Sequence, residues 1–130
     1  MTDSPDIALV RRFYASGTAP EVTAEILAPD IVWDITPGFP NGGTHHGSDS
    51  VARDFFGPLR PNFEAFGPVP EQFYTDGDHH VFVLGHYHAE TKRGITADVR
   101  FIHLWTVRDG KLARLVQAAD SHVLRQALNG

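Results

Sequence analysis

The 130-residue chain has no cysteine, which excludes disulfides and thiolate metal sites and removes any sign of an oxidising compartment. It is also poor in lysine: two Lys and nine Arg are scattered among 16 acidic residues, for a net charge of -5 and a pI of about 5.8. A concentrated basic face is missing, so neither nucleic acid nor an anionic membrane is expected as a partner. No apolar run approaches the length of a membrane span and no basic-then-apolar leader opens the chain, so the expected compartment is the cytoplasm. There are no internal repeats and no low-complexity tract. What remains is ordinary for a soluble globular protein, 42% hydrophobic and 21% charged, and residues 1–130 are expected to form a single domain.

The strongest local signal lies in the last third. Two β-branched and aromatic runs, Val99 to Val107 and Leu112 to Asp120, meet at Asp109-Gly110, the residue pair that favours a type I′ hairpin turn. A two-residue loop there pairs Arg108 with Lys111 and so sets His103 opposite Val116, Phe101 opposite Ala118 and Val99 opposite Asp120. A preceding strand from His79 to about Glu90 turns at Lys92-Arg93-Gly94, which places Tyr87 beside Val99, Gly85 beside Phe101 and Val83 beside His103. The alternation then aims Val81, Val83, Tyr87, Phe101, His103 and Trp105 to one face. Phe82, Leu84, His86, His88, Asp98, Arg100, Ile102, Leu104 and Leu115 go to the other.

Upstream, Ser4-Pro5 starts a helix with Ile7, Val10, Phe13 and Tyr14 on its apolar side and Gly17 at its end. A short helix from about Pro20 must stop by Ala28, before Pro29. Ile31 to Thr36 reads as a strand with Trp33 and Ile35 in one phase and Asp34 in the other. Residues 37–43 read as a turn-rich loop, Ser48 as the cap of a third helix ending at Gly57-Pro58, and the segment on to Pro70, with four prolines, as an ordered loop. Val123, Leu124 and Leu128 suggest a short terminal helix.

Several phrases, Ala28-Pro29-Asp30-Ile31-Val32-Trp33, Gly47 through Val51, Gly77-Asp78, Ile102 through Lys111 and Asp120-Ser121, resemble the SnoaL-like, ketosteroid-isomerase-related branch of the nuclear transport factor 2-like superfamily. The resemblance implies an α+β fold: a cone-shaped, curved, mainly antiparallel sheet with N-terminal helices closing a deep pocket. The general base of ketosteroid isomerases falls at Ile35, which cannot accept a proton, and their oxyanion-donating acid falls at His103. Their tyrosine falls near Phe13 or Tyr14. In limonene-epoxide-hydrolase-like members an Arg and an Asp correspond to Gly85 and Tyr87, and only the last Asp, at Asp120, is matched. Relatives include cyclases, isomerases, lyases, hydrolases and non-catalytic binders, so the fold alone does not select the reaction.

His103 and Asp120 are therefore the candidate acid/base pair, facing each other across a substrate, with Tyr14, Trp33, Ile35, Tyr87, Phe101 and Trp105 as substrate-binding residues. Burial should keep the His103 imidazole neutral. His103 could equally be a core histidine bonded to a carbonyl, and Asp120 a helix cap. His86-x-His88 lacks further ligands at cupin spacing and lies on the outer face, so no metal and no cofactor are expected. The expected function is a small cofactor-independent isomerase, cyclase, lyase or hydrolase acting on a hydrophobic small molecule. The alternatives are a non-catalytic binder using the same pocket and an interaction module working through its outer sheet face, which carries enough apolar groups to suggest a homodimer.

Overall fold

A computed structural model of the chain describes residues 4–17 and 19–130. Helix α1 (Pro5–Ala15) starts as its sequence predicts, with the Ser4 hydroxyl accepting from the Ile7 amide and Pro5 in the first turn; it buries Ile7, Val10, Phe13 and Tyr14. Helix α2 (Pro20–Ile26) runs straight into strand β1 (Leu27–Ile35). After the 37–42 turn come the short strand β2 (Gly43–His46) and helix α3 (Ser48–Ser50), with Gly47 and not Ser48 at its cap. A π-helical stretch (Val51–Phe56), helix α4 (Gly57–Leu59) and a 3₁₀ turn (Arg60–Asn62) follow. Strands β3 (Phe63–Thr75), β4 (His80–Thr91), β5 (Thr96–Arg108) and β6 (Lys111–Ala119), then helix α5 (Ser121–Asn129), complete the fold.

The six strands form one curved sheet in the order β2-β1-β6-β5-β4-β3, antiparallel except for the β1–β6 pair. The expected α+β class is thus the observed one. Two expectations along the chain need correction. The proline-rich segment read as a loop is helical up to Asn62 and then becomes β3, which tolerates Pro68 and Pro70 because it is the edge of the sheet. Residues 43–46, placed partly in a loop, pair with β1 as a strand.

The β4–β5 ladder has the predicted register, Tyr87 with Val99, Gly85 with Phe101 and Val83 with His103. Gly85 is required there by space: a Cβ would lie 2.9 Å from Phe101 Cζ and press on the Val69 carbonyl. The β5–β6 hairpin turns where expected, on Asp109 and Gly110 with φ of 54° and 74°, and pairs Arg108 with Lys111. The ladder then slips. Val107 faces Leu112 but Thr106 faces Arg114, so Ala113 is an extra residue, a β-bulge. One residue of slip exchanges the faces of β6. His103 stands opposite Gln117, not Val116, and Phe101 opposite Ala119, not Ala118. Leu115, expected on the outer face, is buried on the inner one.

Candidate functional site

The concave face of the sheet and the helices α1 and 51–62 enclose a cavity of about 100 Å³ whose lining includes Phe13, Tyr14, Trp33, Tyr87, His103 and Trp105. Phe56 and Arg60 border it and also border an adjoining cavity of about 210 Å³. Aromatic rings make up most of the wall and pack edge to face, Phe13 on Trp105 at 5.0 Å and Trp33 on Trp105 at 5.8 Å between centroids.

At its centre is a continuous hydrogen-bonded chain. Trp105 Nε1 donates to Tyr14 Oη at 3.0 Å, and Tyr14 Oη lies 2.6 Å from His103 Nδ1. On the other side of the imidazole, Nε2 lies 2.7 Å from Tyr87 Oη, which also accepts from Gln117 Nε2 at 2.7 Å. The Gln117 amide is oriented by the backbone, because its Oε1 accepts from the Thr36 N–H at 3.3 Å. Flipping it would set two donors against each other. α1 supplies Tyr14, while β4, β5 and β6 supply Tyr87, His103 and Gln117 from neighbouring strands.

Burial holds every titratable member of this chain neutral. His103, 4% exposed, has its pKa lowered to about 3 by desolvation. Tyr14 and Tyr87 are raised well above the ordinary phenol value by the same cause, opposed in part by the hydrogen bonds from Trp105 and Gln117. Phe101 stacks on the His103 ring at 3.8 Å between centroids and adds to its isolation from water.

The protons in this chain do not balance. Both ends are donor-only groups, an indole N–H and an amide N–H, and a neutral imidazole carries one N–H. With the two phenols this makes five protons for the four contacts. If Nδ1 carries the imidazole proton, Tyr87 donates to Nε2 and the Tyr14 O–H is left over. If Nε2 carries it, Tyr14 donates to Nδ1 and the Tyr87 O–H is left over. Either way one phenol proton has no acceptor within the chain, on a residue that lines the cavity.

Of the residues singled out from the sequence, Tyr14, Trp33, Ile35, Tyr87, His103 and Trp105 all line the cavity. Phe101 does not; it is core packing behind His103. Asp120 is a correction. The bulge at Ala113 turns it out of the pocket phase, and it is an exposed residue capping α5, with its carboxylate accepting from the Val123 N–H at 3.2 Å. Neither His45 nor His46 lines the cavity; His45 packs on Phe55, and its Nε2 donates to the Asn41 carbonyl at 2.9 Å. Gln117 is the residue the sequence reading missed. Among the described residues no group of three His, Cys, Asp or Glu side chains is placed to hold a metal ion, and no helix is long and apolar enough to cross a membrane.

Residues 10–115 match the model of the SnoaL-like domain. The chain belongs to the SnoaL-like family. No curated protein matches it. Among solved structures, this SnoaL-like chain is similar to TerC, crystallised with polyporic acid, at 27% identity and a TM-score of 0.88 over 98% of this chain and all of that one. It is similar to a nuclear transport factor 2-like protein of Burkholderia thailandensis at 27% identity and a TM-score of 0.86, covering 98% of both. A SnoaL-like polyketide cyclase homologue from Jannaschia, at 19% identity and a TM-score of 0.81 over the whole of this chain and 98% of that one, shares the fold.

Proposed function

We propose that this protein is an enzyme that binds a hydrophobic carbonyl compound in the cone and converts it through an enolate-like anion, formed when the compound's acidic α-proton passes to a basic group of the compound itself or to water. The Tyr14–His103–Tyr87 chain serves as the proton donor to the carbonyl oxygen. The surplus phenol proton carries this reading. It is a neutral, pre-positioned donor in a dry aromatic site, the arrangement that favours charge developing on an oxygen. His103 touches substrate through neither nitrogen, since both are held by tyrosines; it acts by exchanging which tyrosine has the free proton. Isomerisation, aldol cyclisation and dehydration next to a carbonyl all pass through such an anion, and the family includes cyclases and isomerases. TerC having been crystallised with polyporic acid makes that compound the first to assay.

One observation favours the second reading, a non-catalytic binder. With Asp120 outside, the lining residues include no carboxylate to remove a proton. The two readings separate by mass spectrometry of polyporic acid and a panel of aromatic and polyketide-like ketones incubated with the wild type, Tyr14→Phe and Tyr87→Phe. Loss of proton donation typically costs on the order of 10²–10⁴-fold in rate, so conversion by the wild type and its loss on replacing the phenols is expected. Binding of these compounds with no product from any of them would establish the binder.

A further inference from the structure

The cavity wall carries a second residue with a donor for which the described residues supply no acceptor. The chain's two tryptophans, Trp33 and Trp105, both line it and pack against each other. Trp105 gives its N–H to Tyr14. Trp33, equally deep at 3% exposure, gives its N–H to nothing: its Nε1 is the buried side-chain polar atom without a hydrogen-bond partner among the described residues. Its ring neighbours are Phe13, Phe55, Phe56 and Trp105, which offer carbon edges, ring faces and a donor already engaged. An indole N–H cannot accept and cannot be reversed by a tautomer or a flip. Buried donors without a partner are rare in native interiors, and this one belongs to a residue of the cavity wall.

We propose that Trp33 Nε1 is a ligand donor, and that the cavity is built for a flat, apolar compound carrying two oxygen acceptors, such as a quinone or a dicarbonyl. The first oxygen takes the surplus phenol proton, and this part rests on the function proposed above; the second takes the Trp33 N–H, and this part rests on Trp33 alone. Rings of aromatic carbon on the walls favour a conjugated, planar skeleton between the two oxygens. A compound with one acceptor would leave the indole as it is now, so Trp33 selects between ligands of one and two oxygens.

The test is calorimetric titration of 1,2- and 1,4-naphthoquinone and of 1-tetralone, which has a single carbonyl, into the wild type and Trp33→Phe. The absence of cysteine removes thiol alkylation by the quinones. Trp33→Phe is expected to weaken at least one quinone by about three- to tenfold, the worth of one hydrogen bond, and to leave 1-tetralone within about twofold. An equal loss for 1-tetralone, or no loss for either quinone, overturns the role of Trp33 and leaves the phenol donor standing. Failure of all three probes to bind the wild type overturns the carbonyl reading itself. The intact protein gives a second readout: of its two indole N–H resonances, that of Trp33 should move downfield with the quinone and stay in place with 1-tetralone. A Trp33 resonance indifferent to both would mean that the N–H rests on a neighbouring ring face, and the proposal would fall.

Discussion

Gln117 stands directly across the β5–β6 ladder from His103, and its amide reaches past the imidazole to the Tyr87 hydroxyl at 2.7 Å. That placement depends on the Ala113 bulge. Without it Val116 would occupy the position, Tyr87 would lose a donor, and the chain from Trp105 to Gln117 would have an open end. The same residue ties the site to β1, since its side chain accepts from Thr36 and its carbonyl accepts from the Thr36 hydroxyl at 2.7 Å.

Gln117→Leu should therefore destabilise the protein. It leaves the half-buried Thr36 N–H without its acceptor and removes the donor to the buried Tyr87 hydroxyl, an effect of about 1–3 kcal/mol by comparison with other buried polar groups. Urea unfolding at pH 7 measures it, and a variant as stable as the wild type would remove Gln117 from the network's support.

His103 should make stability fall on the acid side. Its folded pKa is lowered from 6.5 to about 3, so between those values the unfolded chain binds a proton at this residue that the folded chain does not. The contribution is intact above pH 6.5 and is lost as pH drops toward 3, with a slope of at most about 1.4 kcal/mol per pH unit. Asp54, Asp76 and Asp98, whose pKa values lie below the usual 3.8, begin to add their own loss as pH falls through that value. Unfolding curves of the wild type and His103→Gln at pH 7, 6, 5 and 4 should converge as pH falls. Parallel curves would show that His103 is protonated in the fold.

Asp120 is expected to matter for α5 and not for chemistry. Asp120→Ala removes the cap to Val123 and should cost about 0.5–2 kcal/mol, whereas Asp120→Asn preserves it. Ligand binding and any turnover should be the same in both variants. A selective loss of turnover in Asp120→Asn would return the residue to the site.

The hairpin, its turn and the inward phase of Tyr87, His103 and Trp105 were legible because alternation and a turn sequence specify them locally. The fate of Asp120 was not, because a bulge conserves composition and hydrophobic pattern while shifting the phase of everything beyond it. A trace of it is present all the same. An unbroken ladder would aim Arg114 inward next to Trp105, an unpaired buried guanidinium, whereas the bulge turns it outward to lie 3.9 Å from Asp34. The edge strand β3 was hidden for a different reason: its prolines argue against a central strand, and only the sheet order reveals that this one has a free side. Gln117 gave no signal, since a lone glutamine in a strand carries no spacing to read.

The outer face of the sheet bears on assembly. Phe82 and Ile102, 38% and 49% exposed, stand directly opposite Leu104 and Leu84 across the β4–β5 ladder. Beside them lie the His86–Glu71 and His88–Asp98 pairs at 2.8 and 3.0 Å. We propose that a second copy of the chain covers this face. Sedimentation velocity at micromolar concentration should give a dimer, and Ile102→Glu a monomer; a monomeric wild type contradicts the proposal.

The state of the imidazole is the premise from which the surplus proton follows, and it can be observed directly. In ¹⁵N-histidine-labelled protein the His103 ring should show one protonated and one bare nitrogen, or their fast average, unchanged from pH 8 down to pH 5, with the two tautomers redistributing when a naphthoquinone is bound. Two protonated nitrogens at neutral pH, or a titration centred near 6.5, would mean an imidazolium that donates to both tyrosines and frees both phenol protons, which would contradict the single surplus proton exchanged through a neutral His103.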